Sequence, residues 1–334
     1  MTVSGTGTTY NLPNYHGELF TVAVTQTPFL SAIGGINGSK SVRATRWEWQ
    51  TIGRRSSSAN NVVLEGQDAP TSTAQNKGNV YNVTEIHHSS VELTYSKMAA
   101  TSQYAGVNVG SEWDDAMDDE YQQQIDAELQ SMAVDIDMSF LNGTLQVPSD
   151  NSTERQTQGI LGAITTNVSA NGGVKRNLSP AIVNQLLKSM RQAGAPLAPG
   201  INDQNGNPAP RTVFLCGSDQ KLNIVNVYAA QSTLSAPERS MTVAGMNIQT
   251  IVTPFGTFGV LEDPHMGDGQ IAVVDLAVCV PVFTEIPGKG VLFTEPLAKT
   301  GAKEKEQIYG EIGLQYGPEK FHGLIKDLND AASS

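Results

Sequence analysis

Apolar positions spaced by three or four residues predict one long helix near the middle of the chain. The segment Ser111–Leu141 contains neither glycine nor proline, and its apolar side chains fall on one side of a helix. These side chains are Trp113, Met117, Tyr121, Ile125, Leu129, Met132, Ile136 and Phe140. Ser111 can cap the first turn, and Gly143 can end the last. A helix of this length spans a whole domain, so we expect other elements to be built on it.

Alternating patterns predict β-structure on the amino-terminal side of this helix. Trp47 and Trp49 alternate with polar residues, and apolar residues alternate again in the segment Val91–Tyr95. The polar span between them predicts a long two-stranded excursion, with Val91–Tyr95 as the return strand. Residues 1–41 are rich in Thr, Ser, Gly and Asn and predict an extended arm. Because an isolated hairpin is marginally stable in water, we expect both features to be held by contacts outside their own domain.

The carboxyl-terminal half alternates between helical and strand patterns and predicts an α+β fold. The pattern predicts a helix that Ser179 caps, Pro180 begins and Gly194 ends. Three further predictions concern a strand-like piece at residues 159–174, a closing strand at residues 305–317 and a hairpin partner for it at residues 321–328. The remaining predicted elements are, in order, the strand TVFLCG, a helix capped by Ser218, and the strands MNIQTIVTP, FGVLED and QIAVVDLAVCVPVF.

Composition and charge narrow the classes of function. The chain of 334 residues is 39% hydrophobic, which is enough for a sizeable core, and its formal net charge is −12. A negative balance argues against nucleic-acid binding, because affinity for phosphates comes from Lys and Arg. Cys216 and Cys279 lie in apolar strand patterns and are expected to be buried free thiols. The amino terminus has no basic start or apolar segment, so we expect neither a secretion signal nor a membrane span.

The negative charge is concentrated on the predicted long helix. This segment contains no Lys or Arg, so the carboxylates have no partner of opposite charge within the helix. Two interpretations remain open: a solvated acidic face, or a contact with a basic surface, including one on another copy of the chain. The carboxylates are Glu112, Asp114, Asp115, Asp118, Asp119, Glu120, Asp126, Glu128, Asp135 and Asp137.

The sequence contains no catalytic signature, and we predict no catalytic residue, cofactor, metal site or enzymatic activity. There is no GxSxG elbow for a nucleophilic serine, and GGINGSKS lacks the Gly-Lys pair of a phosphate loop. His87 and His88 are adjacent, so a regular strand points them to opposite faces and away from a shared metal. Asp263 and His265 lie beside glycines, which favours a turn.

The order of the elements and four sequence landmarks resemble the major capsid proteins of tailed bacteriophages, which share the Johnson fold. The landmarks are TPFLSAIG (Thr27–Gly34), WEWQT (Trp47–Thr51), EGQDAP (Glu65–Pro70) and LAKTGAKEKEQIYGEIGL (Leu297–Leu314). The resemblance implies an N-terminal arm (1–42), an E-loop (43–101), a P-domain with a spine helix (102–173, helix 111–141), an A-domain (174–291) and closing P-domain strands (292–334).

The same resemblance implies a structural subunit rather than an enzyme. We expect hexamers and pentamers that assemble into the icosahedral head shell around the double-stranded DNA genome. The protein would be made in the host bacterial cytoplasm and end in the virion. Some relatives begin with a cleaved scaffolding segment, whereas here the arm starts within a few residues of Met1, so a separate scaffolding protein is expected. A portal is a further expected partner and a decoration protein a further candidate.

We predict that the densest basic run of the chain meets the helix carboxylates of a neighbouring subunit. The hypothetical contact residues are Lys40, Arg43, Arg46, Trp47, Trp49, Arg54 and Arg55 on one side and Glu112, Asp114, Asp115, Asp118 and Asp119 on the other. Three alternatives stay open at this point. They are an encapsulin-like shell protein, a soluble enzyme or ligand-binding domain with a cleft at Asp263–Gly269, and a phage tail or surface adhesin.

Overall fold

A computed structural model describes most of the chain. The described residues are 26–36, 40–53, 62–69, 75, 77–96, 120–150, 152–197, 201–202, 208–209, 211–231, 240–243 and 246–330. Their helices are α1 (Pro28–Ala32), α2 (Glu120–Asn142), α3 (Ile160–Ala163), α4 (Pro180–Gln192) and α5 (Ser218–Gln231). Short 3-10 turns cover Leu276–Val278 and Glu319–Phe321. Among the described helices, none combines the length and the apolar character needed to cross a membrane.

The strands fall into four sheets within the described residues. They are β1 (Ser41–Val42), β2 (Arg46–Ile52), β3 (Lys77–Val83), β4 (Glu85–Thr94), β5 (Val168–Ser169), β6 (Ile201–Asn202), β7 (Pro208–Ala209), β8 (Thr212–Cys216), β9 (Ser240–Val243), β10 (Met246–Thr253), β11 (Gly256–Glu262), β12 (Ile271–Asp275), β13 (Val280–Thr284), β14 (Leu292–Pro296), β15 (Lys303–Gln315) and β16 (Gly323–Ile325).

The chain divides into two compact units. The described part of one unit comes from His88–Met132 and Thr294–Ile308. An ion pair between Lys303 and Glu92 connects its two segments, with 2.6 Å between Nζ and Oε1. The other unit contains Gln26–His87, Ala133–Phe293 and Tyr309–Ser334, and it holds most of the hydrophobic core.

A seven-stranded sheet forms the largest element of the second unit, in the order β5-β16-β12-β8-β11-β10-β9. All residues of β8 and β12 are buried, as their continuous apolar sequences require for central strands. Helix α4 packs on β5 and β16, and α5 packs on β8 and β11. The predicted strands TVFLCG, MNIQTIVTP and FGVLED are therefore confirmed, as is the helix that follows TVFLCG, although Ser218 is its first residue rather than its cap.

Helix α4 follows its sequence pattern closely. Ser179 occupies the cap position and Pro180 begins the helix, whose buried side chains are Val183, Leu186, Leu187 and Met190. Gly194 follows the helix with a φ of +96°, a conformation that glycine adopts readily. Gly323 of β16 permits the close contact with this helix, because a Cβ atom there would lie 2.6 Å from the Met190 sulfur.

Helix α2 confirms the apolar stripe over the part that the structure describes. Ile125, Met132, Ile136 and Phe140 are all buried, and the helix ends at Asn142, one residue before Gly143. The predicted cap at Ser111 and the first turns of the predicted helix lie outside the described residues.

A second sheet has the order β1-β13-β15-β14, with β4 also paired to β15. The alternation along β15 is confirmed, because Ile308, Ile312 and Leu314 are fully buried. The predicted hairpin partner at residues 321–328 is wrong, since β16 pairs with β12 and β5 instead. All three residues of β16 are buried, which suits a strand with a neighbour on each side.

The expected return strand of the two-stranded excursion is also wrong. Strand β2 pairs antiparallel with β3, in a register that places Trp47 opposite Asn82 and Trp49 opposite Val80. The Val91–Tyr95 pattern belongs to β4, which pairs with β15. The sequence of β3, KGNVYNV, does not predict a strand that pairs with β2, because most of its residues are polar or exposed. We call the pair β2–β3, together with the residues that connect the two strands along the chain, the ribbon.

Three smaller predictions need correction. Part of the supposed extended arm is helix α1, whose Phe29 and Leu30 side chains are buried in the core. The strand-like piece at 159–174 begins with helix α3, and only β5 is extended. The predicted strand QIAVVDLAVCVPVF is divided into β12 and β13 by a 3-10 turn that Asp275 caps through the Ala277 N–H. Residues 1–25 of the arm lie outside the described residues.

Candidate functional site

The root of the ribbon is fixed to its own subunit. Trp47 is buried against Gly313, where a Cβ atom would lie only 2.4 Å from the edge of the indole ring. Trp49 donates its indole N–H to the Gly317 carbonyl oxygen at 3.0 Å and packs edge-on against the Tyr316 ring. Asn82 donates to the Leu314 carbonyl oxygen at 2.6 Å. These contacts make the root a rigid attachment.

The distal part of the ribbon presents apolar side chains to solvent. Ile52, at the end of β2, is 57% exposed. Further along the chain, Val62, Val63 and Leu64 have exposures of 86%, 55% and 81%. Consecutive exposed apolar residues are typical of surfaces that another molecule covers.

The basic residues predicted to contact a neighbour are placed near the ribbon root. Lys40 donates through Nζ to the Gln315 side-chain oxygen. Arg46 is exposed, pairs with Glu48 at 2.8 Å and stacks on the Tyr81 ring at 4.0 Å from its centroid. Arg43 is exposed and has no partner among the residues that the structure describes.

The structure does not test the predicted contacts between subunits. Arg54, Arg55 and the helix carboxylates Glu112, Asp114, Asp115, Asp118 and Asp119 lie outside the described residues. Trp47 and Trp49 have the roles within the subunit given above, and their contact with a neighbouring subunit stays a prediction.

A buried carboxylate pair joins three separate parts of the second unit. Asp137 of α2 accepts the Leu30 N–H at 2.7 Å, and Asp263, after β11, accepts the Phe29 N–H at 3.2 Å. Both carboxylates therefore face the amino-terminal end of α1. His265 donates its backbone N–H to Asp263 at 2.9 Å. The His265 ring contacts the Gln26 carbonyl oxygen through Nε2 at 3.2 Å.

The electrostatics of this pair are unfavourable for two free anions. Asp137 and Asp263 are both fully buried. Burial, followed by the neighbouring charge of Asp263, raises the pKa of Asp137 to about 8. One ligand atom from each of Asp137, Asp263 and His265 lies within 4.8 Å of the other two. We call these three residues the carboxylate cluster.

An open cleft of about 400 Å³ lies beside the carboxyl-terminal end of α2. Three of its ionisable residues already contact protein groups. Glu85 accepts the Thr157 N–H at 3.0 Å and pairs with His87 at 2.9 Å. Arg155 pairs with Glu311 at 3.4 Å. This cleft offers a surface for binding rather than an activated nucleophile.

Solved structures with the same architecture form shells. The cyanophage A-1(L) capsid protein aligns with a TM-score of 0.65 and 12% identity, over 96% of this chain and 98% of that one. The SrpI encapsulin of Synechococcus elongatus PCC 7942 aligns with a TM-score of 0.60 and 9% identity, over 96% and 95%. The capsid of a native GTA particle gives 0.57 and 14%, over 99% of both chains. The chain therefore has the Johnson fold of phage capsid and encapsulin proteins.

The sequence identifies the family within this class. The profile of the SU10 major capsid protein family matches residues 2–329, so the chain belongs to that family. It is a major capsid protein, a structural subunit of a bacteriophage head shell. A search of curated protein sequences finds no significant match.

Sequence reasoning missed the carboxylate cluster, although its members were visible. Asp263 and His265 do lie in a turn, as predicted, but the turn points them at Asp137 and α1. The residue that could have indicated the cluster is Asp137. It follows the apolar Ile136 near the carboxyl-terminal end of the helix, where the helix dipole disfavours a negative charge.

Proposed function

We propose that this subunit forms hexamers and pentamers that close into an icosahedral head shell around double-stranded DNA, with the ribbon as its main contact with neighbours. The observation that carries the proposal is the exposed apolar segment Val62–Leu64 beyond a firmly anchored ribbon root. A rigid attachment lets a projecting segment reach another subunit without losing its orientation. Covering apolar side chains is favourable by roughly 1.5–3 kcal/mol for each one fully buried.

The proposed division of the subunit follows the resemblance to capsid proteins. Residues 1–42 are the arm, 43–101 the E-loop, 102–173 and 292–334 the P-domain, and 174–291 the A-domain. The ribbon belongs to the proposed E-loop, whose position at the subunit surface fits its exposed end.

Charge complementarity adds to the proposed contact. The basic residues Lys40, Arg43, Arg46, Arg54 and Arg55 would face Glu112, Asp114, Asp115, Asp118 and Asp119 of a neighbour. Exposed ion pairs contribute only about 0–1 kcal/mol each, so their effect comes from repetition over the shell. Trp47 and Trp49 hold the ribbon in position for this contact.

The proposal also covers where the subunit is made and which other proteins take part in assembly. We propose that the subunit is made in the host bacterial cytoplasm, assembles with a separate scaffolding protein and a portal, and has no catalytic activity. A decoration protein is a further candidate partner. Glu85, His87 and Arg155 of the cleft are held by hydrogen bonds and ion pairs within the subunit, which supports a structural role.

Assembly of a ribbon variant tests the proposal. We expect the full-length chain to form shells, tubes or hexamer rings visible by negative-stain microscopy. The double variant Val62→Ser/Leu64→Ser should need at least a tenfold higher protein concentration to assemble, because two apolar contacts are lost. Its thermal unfolding should match the parent, since both side chains are exposed in the subunit.

Val174→Ser provides the matched control, because Val174 is 65% exposed but lies outside the ribbon. This control should assemble at the parent concentration. Reversal of Arg54 and Arg55 to Glu tests the charge contact in the same assay and should also impair assembly. Shells from the double ribbon variant in normal yield would contradict the proposed role of the ribbon.

A further inference from the structure

Among the described residues, no cationic side chain compensates the carboxylate cluster, so Asp137 and Asp263 must either share a proton or bind a cation. Two buried carboxylates in contact range cannot both ionise without compensation. Among the described residues, no Lys or Arg forms an ion pair with Asp137 or Asp263. The two backbone N–H donors of α1 contribute only partial charges.

One oxygen of the cluster has no hydrogen-bond partner. Asp137 uses Oδ1 to accept from Leu30, while its Oδ2 is buried and unpaired within the described part of the chain. A buried polar atom without a partner is costly and is rare in folded proteins. Beside a second carboxylate and a histidine, this oxygen can either share a proton with Asp263 or bind a cation.

The hydrogen bond of the His265 ring leaves one ring nitrogen able to bind a metal ion. A carbonyl oxygen can only accept, so the contact of His265 Nε2 with the Gln26 carbonyl requires Nε2 to carry the hydrogen. The lone pair of the neutral ring is then on Nδ1. Histidines that bind metals commonly donate their other N–H to a backbone carbonyl in this way.

We propose that Asp137, Asp263 and His265 bind one divalent transition-metal ion of the zinc or cobalt type. One nitrogen and two carboxylate oxygens match the ligand preferences of these ions, with metal–ligand distances of about 2.0–2.2 Å. Ligand atoms around a tetrahedral ion of this type are about 3.4 Å apart, so a group whose atoms lie within 4.8 Å can close on one ion by rotation of the side chains. The ion fastens α2 and the turn after β11 together beneath α1, independently of assembly between subunits.

Cobalt binding to the full-length chain, prepared without a histidine tag and stripped with a chelator that is then removed, tests this site. We expect one Co²⁺ per chain, a visible absorption band that Zn²⁺ abolishes, and a higher unfolding temperature with metal. Asp137→Asn and His265→Gln should weaken Co²⁺ binding at least tenfold and remove the thermal shift. Asp135→Asn and Asp268→Asn are the matched controls, because both residues are exposed on the same helix and the same turn; they should bind as the parent does.

Folding of the variants is checked by thermal unfolding without metal. Asn at position 137 keeps an oxygen acceptor for the Leu30 N–H, so this variant should fold. If it does not, His265→Gln decides, because the His265 side chain is partly exposed. The proposal is overturned if the parent binds no Co²⁺, or binds it no better than the folded Asp137→Asn or His265→Gln chain. Either result would mean that the two carboxylates share a proton alone.

Discussion

His322 shows how a single buried side chain makes the subunit sensitive to acid. Its ring is fully buried, accepts the Asp275 N–H at Nδ1 and donates from Nε2 to the Tyr316 carbonyl oxygen at 2.7 Å. These two contacts fit the neutral ring. Burial, as the main cause, lowers the pKa of His322 from its ordinary value of 6.5.

The lowered pKa of His322 predicts a loss of stability on the acidic side of pH 6.5. Below that pH the unfolded chain binds a proton that the folded chain excludes, so the free energy of unfolding falls as the pH falls. The contribution of one group approaches but does not exceed about 1.4 kcal/mol per pH unit. Urea unfolding at several pH values should show this slope for the parent.

His322→Gln removes the titrating group and should flatten the slope below pH 6.5. Above pH 7 the two curves should run parallel, which separates titration from the general cost of the substitution. An equally steep acid slope in the variant would contradict the role assigned to His322.

At the scale of elements, the close packing of the ribbon on β15 depends on the absence of a side chain at Gly313. Gly313 lies under the Trp47 ring, and a Cβ atom there would also approach the Val83 carbonyl oxygen to 2.7 Å. Neither the strand backbone nor a buried indole can move away freely. The ribbon root is therefore positioned by the close approach of two strands.

Gly313→Ala should destabilise the subunit by about 1–3 kcal/mol, because the added methyl group overpacks the crossing. Displacement of the indole should also shift tryptophan fluorescence to longer wavelength. Gly53→Ala is the control, since a Cβ atom at Gly53 meets nothing within 4 Å and should leave stability unchanged. Parent-like unfolding and emission for Gly313→Ala would mean that the crossing relaxes without cost.

The same comparison of elements explains which predictions succeeded. Helix α4 and strands β8 and β15 were found because strong periodicity coincides with deep burial. Strand β3 was missed because Lys77, Asn79 and Asn82 leave it without an alternating apolar pattern, although its backbone pairs with β2 along its whole length. The partner of β16 was missed because strand pairing in the interior depends on the whole sheet, which a local pattern does not encode.

For the whole molecule, the net charge of −12 sets how the subunit meets the genome. Phosphate binding requires Lys and Arg side chains that replace counterions, and in this chain acidic residues outnumber them. We therefore expect a shell of these subunits to hold packaged DNA weakly.

We expect the purified chain not to retard duplex DNA in a gel at about 0.15 M salt, since repulsion between like charges opposes contact at this ionic strength. The measurement is repeated at lower salt with the same protein. Retardation that weakens steadily as salt is added would reveal a phosphate-binding surface and contradict this expectation.

The whole-molecule identity was also easier to predict than the buried site. The capsid class followed from landmarks distributed along the chain, and the family match over residues 2–329 confirms it. The carboxylate cluster required knowing that Asp137, Asp263 and residues 26–30 meet in space. Those segments are more than a hundred residues apart in sequence, so spacing gave no sign of their contact.

The two cysteines of the subunit are protected from reaction with their redox surroundings. Cys216 and Cys279 are free and buried, and burial raises the pKa of both thiols, that of Cys216 to about 12. Thiolates are the reactive form, so neither sulfur is available to oxidants or to disulfide exchange while the chain stays folded. A shell of such subunits would keep the same covalent structure in a reducing cell and in aerated water.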